Sequence, residues 1–122
     1  IEHTLRSWTR EKTLDVFASQ ALESYRRQAR DPARLAAMCA DYRAGATTDR
    51  ALDEADRQAG RKITAPLMFL CGDVGFPAQT GDPASVWSAW ADDVQAATCA
   101  SGHFAMEENP QAVIDTFLPF FR

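Results

Sequence analysis

The sequence predicts an α/β protein in which a helical segment, residues 1–60, precedes a β-α-β-α unit of a parallel sheet, residues 61–122. Three observations carry this expectation. Apolar residues recur at helical spacing through the first half of the chain. The pattern changes after Lys62 to a continuous apolar run of strand length, "APLMFLCG", and a second, weaker run, "VQAATCA", follows an intervening helical stretch. Two strands joined by a crossover helix run parallel.

Taken in order, "SQALESYRRQAR" (Ser19–Arg30) places Ala21, Leu22, Tyr25 and Ala29 on one helical face. Asp31 and Pro32 then supply a cap and a first-turn proline for a helix to about Ala44, which Gly45 is expected to close. Thr48 is expected to cap a third helix, "TDRALDEADRQA", ended by Gly60. Pro66 introduces the first strand and Gly72 closes it, and the lack of alternation predicts a strand covered on both faces. Asp82-Pro83 opens "DPASVWSAWADD", with Val86, Trp87 and Trp90 as an apolar stripe. Asn109-Pro110 starts a last helix carrying Val113, Ile114, Phe117 and Leu118, which Pro119 is expected to end or kink. Two parallel strands cannot alone form a doubly covered sheet, so further strands are expected from an absent part of the polypeptide or from a partner chain. The opening "IEHTLRSW" reads as the middle of an element, which agrees with a piece of something longer.

Composition narrows the function. A hydrophobic content of 46% with 25% charged residues suits one globular domain within 122 residues. The formal charge of −4 argues against nucleic acid, and Arg26, Arg27, Arg30 and Arg34 sit among Glu23 and Asp31 as a solvated helix face. No apolar run approaches the ~20 residues needed to span a bilayer, so a soluble, non-membrane protein is expected. Cys39, Cys71 and Cys99 lack disulfide or zinc spacing and are expected to be small buried apolar residues in a reducing, cytoplasmic compartment. Asp49, Asp53 and Asp56 share one helical face, which reads as a solvated surface with Arg50 and Arg57 rather than as a cation site. Neither a metal nor a cofactor is implied.

Two residues near the predicted strand ends are candidates for chemistry. In "SGHFAMEENP" (Ser101–Pro110), His103 is either a general base or a side chain that only hydrogen-bonds in the loop before the helix. Imidazole titrates near neutral pH, and Gly102 permits the sharp turn that would present it at the carboxyl end of a sheet. Asp73 in "CGDVG" resembles a nucleophile elbow, but Pro77, Gly81 and Pro83 follow where a helix should start, so a loop or cap role is the stronger reading. His3 has no such context.

"MCADYRAGATTD" (Met38–Asp49), "AGRKITAPLMFLCG" (Ala59–Gly72), "VWSAWADDV" (Val86–Val94) and "SGHFAMEENP" together resemble the C-terminal part of α/β-hydrolase-fold haloacetate dehalogenases, including those that cleave fluoroacetate. The G-H-F-x-x-E-E-x-P end is common to many α/β-hydrolases, whereas the C-x-D-Y-R-A pattern is narrower. The resemblance implies that residues 1–60 are the latter part of a helical cap and 61–122 the last two strand–helix units of the core. It implies that His103 is the base that hydrolyses an aspartyl ester, that Tyr42 donates its hydroxyl to the departing halide, and that Trp8 lines the pocket. From the residues alone, Tyr42 reads first as an ordinary half-buried tyrosine and Trp8 as a core residue of an amphipathic helix. The His-Trp pair that completes the family's halide site has no counterpart here. The nucleophile and triad acid would lie in an N-terminal half, so this segment alone is expected to be inactive. Implied partners are a small halogenated carboxylic acid, the N-terminal half of the same enzyme or another sheet-completing chain, and a second copy in a homodimer. An epoxide hydrolase, or a non-catalytic remnant acting as an interaction or dimerisation module, are the alternatives.

Overall fold

The computed structural model describes all residues from Ile1 to Arg122. The elements are α1 (Glu2–Trp8), α2 (Ser19–Gln28), α3 (Pro32–Ala46), α4 (Thr48–Gln58), β1 (Leu67–Gly72), α5 (Phe76–Gln79), α6 (Pro83–Ser88), β2 (Val94–Cys99), α7 (Ala105–Glu108) and α8 (Pro110–Phe120). They form two compact units. One is Ser19–Lys62 with Ile1, and the other joins Glu2–Ala18 to Ile63–Arg122. The sheet unit thus includes an N-terminal stretch beyond the expected 61–122.

In the helical unit, Asp31 caps α3, its carboxylate accepting from the Ala33 amide at 2.9 Å ahead of Pro32. That cap satisfies an amide that the helix itself leaves unpaired. Gly45 does not end α3; the helix runs through Ala46 and Thr47 closes it. Thr47, rather than Thr48, precedes α4, with no side-chain cap bond because its hydroxyl donates back to the Arg43 carbonyl at 2.7 Å. Gly60 has the expected positive φ of 66° beyond the end of α4. Asp56 receives Arg61 at 2.8 Å, as a solvated ion pair. Neither α3 nor α4 has a buried residue, and Cys39, expected inside, is exposed on α3.

In the sheet unit, β1 and β2 pair in parallel with Leu67 opposite Val94 and Gly72 opposite Cys99. An isolated bridge between Ile63 and Ala91 extends the pairing. Asp82 caps α6 through the Ala84 and Ser85 amides, and Asn109 caps α8 through Ala112 at 3.2 Å. The helix after Asp82 stops at Ser88, not near Asp93, because Ala91 is drawn into the bridge with Ile63. Pro119 lies inside α8, one residue before its end at Phe120, where the missing amide of a last-turn residue costs one bond at most. The sheet has two strands, each with a free edge, and β1 is half-buried along Leu67–Leu70 rather than covered on both faces. Trp87 of α6 packs on Phe69 with ring centroids 5.7 Å apart. The buried apolar side chains of this unit are Leu5, Phe17, Cys71, Ala91 and Cys99. No helix of the chain is long and apolar enough to cross a membrane.

Candidate functional site

Because β1 and β2 end in register, the loops that leave them emerge at one carboxyl edge. The loop after β2 crosses directly over the end of β1. A Cβ on Gly72 would lie 2.7 Å from the Ser101 carbonyl carbon, and one on Gly102 would lie 2.6 Å from the Arg10 amide nitrogen and 2.7 Å from the Thr9 carbonyl carbon. Glycine is required at both positions by close approach of backbone to backbone. The loop is therefore clamped between the β1 end and residues 8–10. Thr9 and Ser101 are fully buried there, with the Ser101 hydroxyl 3.3 Å from the Cys99 sulfur. Burial, and secondarily Cys99 alongside, pushes the Cys71 thiol above its usual range.

The clamp is held by two carboxylates. Glu108, at the end of α7, accepts from the Gly102 amide at 3.0 Å, the Phe104 amide at 3.1 Å and the Arg10 amide at 2.6 Å. The His103 amide between them donates to the Trp8 carbonyl at 2.8 Å. Asp73 accepts from the Arg10 guanidinium and from the Ser101 amide at 3.3 Å. The hydrogen bond from Arg10 holds the Asp73 carboxyl below, and the guanidinium above, their ordinary ranges. Asp73 is occupied as a loop-binding group, in line with the structural role its sequence context favours.

This packing brings His103 and Trp8 together. Their rings meet edge to face at 4.8 Å between centroids, and Phe104 lies 5.0 Å from the imidazole and 5.3 Å from Phe17. Both border a pocket of about 380 Å³ whose other walls include Ser7, Lys12, Val74 and Phe76. His103 and the 43%-exposed Trp8 thus present an imidazole and an aromatic wall to a largely apolar space with one ammonium group and no carboxylate on its lining. Trp8, expected with the cap, belongs to the sheet unit because residues 8–10 bond to the His103 loop and to Glu108. Tyr42 belongs to the helical unit, in the middle of α3, with 69% of its surface exposed. Glu108 was not distinguished by sequence reasoning, although it is the second acid of the G-H-F-x-x-E-E-x-P motif.

No family model matches the chain. It is 35% identical over 96 residues to a fluoroacetate dehalogenase of a Burkholderia species, a match covering 79% of this chain and 31% of that protein. It is 32% identical over 108 residues to a soluble epoxide hydrolase of a Corynebacterium species, covering 88% of this chain and 35% of the other. Among solved structures, a candidate epoxide hydrolase from Pseudomonas aeruginosa superposes with a TM-score of 0.88 at 39% identity, over 98% of this chain and 39% of that one. A candidate α/β-hydrolase from a Nostoc species superposes with a TM-score of 0.81 at 35% identity, over 95% of this chain and 41% of its own. The chain spans about a third of the length of the curated relatives it matches.

Proposed function

We propose that this chain, which has the C-terminal part of an α/β-hydrolase fold, supplies the general base of a hydrolase of the haloacetate dehalogenase type. The observation that supports this reading most is His103, set at the carboxyl edge of the parallel strands against Trp8 and open to a pocket. In the proposed reaction an aspartate outside this chain attacks the α-carbon of a small halogenated carboxylic acid. A carbon–oxygen bond forms as the carbon–halogen bond breaks, and the halide leaves with the bonding pair. Tyr42 donates a hydrogen bond to that halide, and Trp8 walls the pocket. His103 then takes a proton from water as the oxygen adds to the ester carbonyl; on collapse the acyl carbon–oxygen bond to the substrate breaks, the imidazolium returns the proton to the departing alkoxide, and the hydroxy acid and the aspartate are released. The unit Ser19–Lys62 serves as part of a cap, the rest of the sheet comes from the N-terminal half of the enzyme, and the enzyme works in the cytoplasm as a homodimer.

The second reading is an epoxide hydrolase, favoured by the likeness to the Corynebacterium enzyme. It shares nucleophile and base but opens a neutral epoxide. Product analysis of the complete enzyme separates the two. Halide and hydroxy acid from a haloacetate support the proposal, a diol from an epoxide supports the second reading, and neither product leaves only a non-catalytic module.

A further inference from the structure

We infer that Glu108 is a positioning residue that fixes the loop carrying the His103 imidazole; the inference rests on the proposed role of His103. Its carboxylate collects amides from two segments far apart in sequence. Gly102 and Phe104 flank His103 on one side, and Arg10 lies two residues beyond Trp8 on the other. Both of its oxygens are used, Oε1 toward Gly102 and Phe104 and Oε2 toward Gly102 and Arg10. The His103 amide meanwhile donates to Trp8 itself, so the peptide that carries the base is bonded to the peptide that carries the wall. No other side chain reaches across this junction at three amides. Asp73 and Arg10 hold the neighbouring loop but bond neither His103 nor the amides beside it.

The chemistry makes a specific demand on this arrangement. Water can be aimed at an ester only while the imidazole stays within a few tenths of an ångström of its place, and a displacement near 1 Å costs about 100-fold in rate. Attack by the nucleophile on the substrate does not use the imidazole. Loss of Glu108 should therefore slow ester hydrolysis far more than ester formation. A glutamine at this position keeps one acceptor oxygen but turns an amide donor toward peptide N–H groups. An aspartate keeps the charge but withdraws it by one methylene.

The test is single-turnover kinetics of the complete enzyme, with ester formation and hydrolysis followed by intact mass in the folded fraction. Glu108→Gln is expected to slow hydrolysis roughly 10- to 100-fold while changing formation less than about threefold, so that the ester accumulates. Glu108→Asp should fall between it and the parent. A purely structural residue would lower the folded fraction and leave both rates per folded molecule unchanged, and that result overturns the inference. Failure of both variants to fold also overturns it, since Glu108 would then be a folding residue. His103→Ala in parallel keeps the two claims apart. If His103→Ala accumulates ester and Glu108→Gln does not, only the positioning role is lost; if His103→Ala turns over normally, the reading beneath it is lost instead.

Discussion

Fluoride depends on hydrogen bonds as it departs more than the heavier halides do, so the residue that tests the proposed halide chemistry most sharply is Tyr42. Its side chain is open on α3, with most of its surface exposed rather than half-buried. Removing one donor to a developing anion typically costs about 2.7–4 kcal/mol of barrier. In the complete enzyme, Tyr42→Phe is expected to lower the rate on fluoroacetate by roughly 10²–10³ and on bromoacetate by much less. Equal losses on both substrates would assign the tyrosine to packing alone. His103 and Trp8 differ from Tyr42 in that their juxtaposition is already fixed by the backbone of this chain, through the bond from the His103 amide to the Trp8 carbonyl.

At the scale of elements, the helix starts are set by local chemistry and their strength depends on charge. Asp82 accepts from the Ser85 hydroxyl and from the Ser85 and Ala84 amides, and these bonds, the hydroxyl's first, hold its carboxyl below the usual value of 3.8. A carboxyl depressed on folding contributes stability that is present above the unfolded value and lost as pH falls through the folded one. Thermal melts of the complete protein should accordingly show Asp82→Ala less stable than the parent at neutral pH, with the gap closing below pH 3.8. A gap independent of pH would place the effect elsewhere. The same local chemistry explains what could be read directly from the sequence. Asp31-Pro32, Asp82-Pro83 and Asn109-Pro110 each mark a helix start, and the two apolar runs mark β1 and β2. The short helices α1, α5 and α7 were not legible, since four to seven residues carry little periodicity, although Pro77 stands in the first turn of α5. Glu108 was only partly legible: Gly102 and Phe104 lie within its own motif, but its partner Arg10 lies 98 positions away. Cys39 was misplaced because helical spacing predicts a face and not the neighbour that would cover it.

For the molecule as a whole, burial sets the expectation. Apart from small residues, the apolar side chains below the surface are Leu5, Phe17 and Leu22, while Phe76, Met106 and Phe121 are 75%, 69% and 77% exposed. A chain of this length ordinarily buries well over half of its unfolded surface around a shared core, and both strands here keep unpaired edges. Residues 1–122 made alone are expected to aggregate, stay partly molten or associate, rather than melt cooperatively as a clean monomer. Sedimentation with a thermal melt checks this, and a cooperative monomer would remove the need for further strands. The central claim is that the base carried here acts on an ester formed by a nucleophile outside these residues. Intact-mass measurement of the complete enzyme bearing His103→Ala, after exposure to haloacetate, tests it most directly. The account predicts a stable mass increase of one carboxymethyl group with release of one halide per site; turnover at the parent rate, with no adduct, would contradict it.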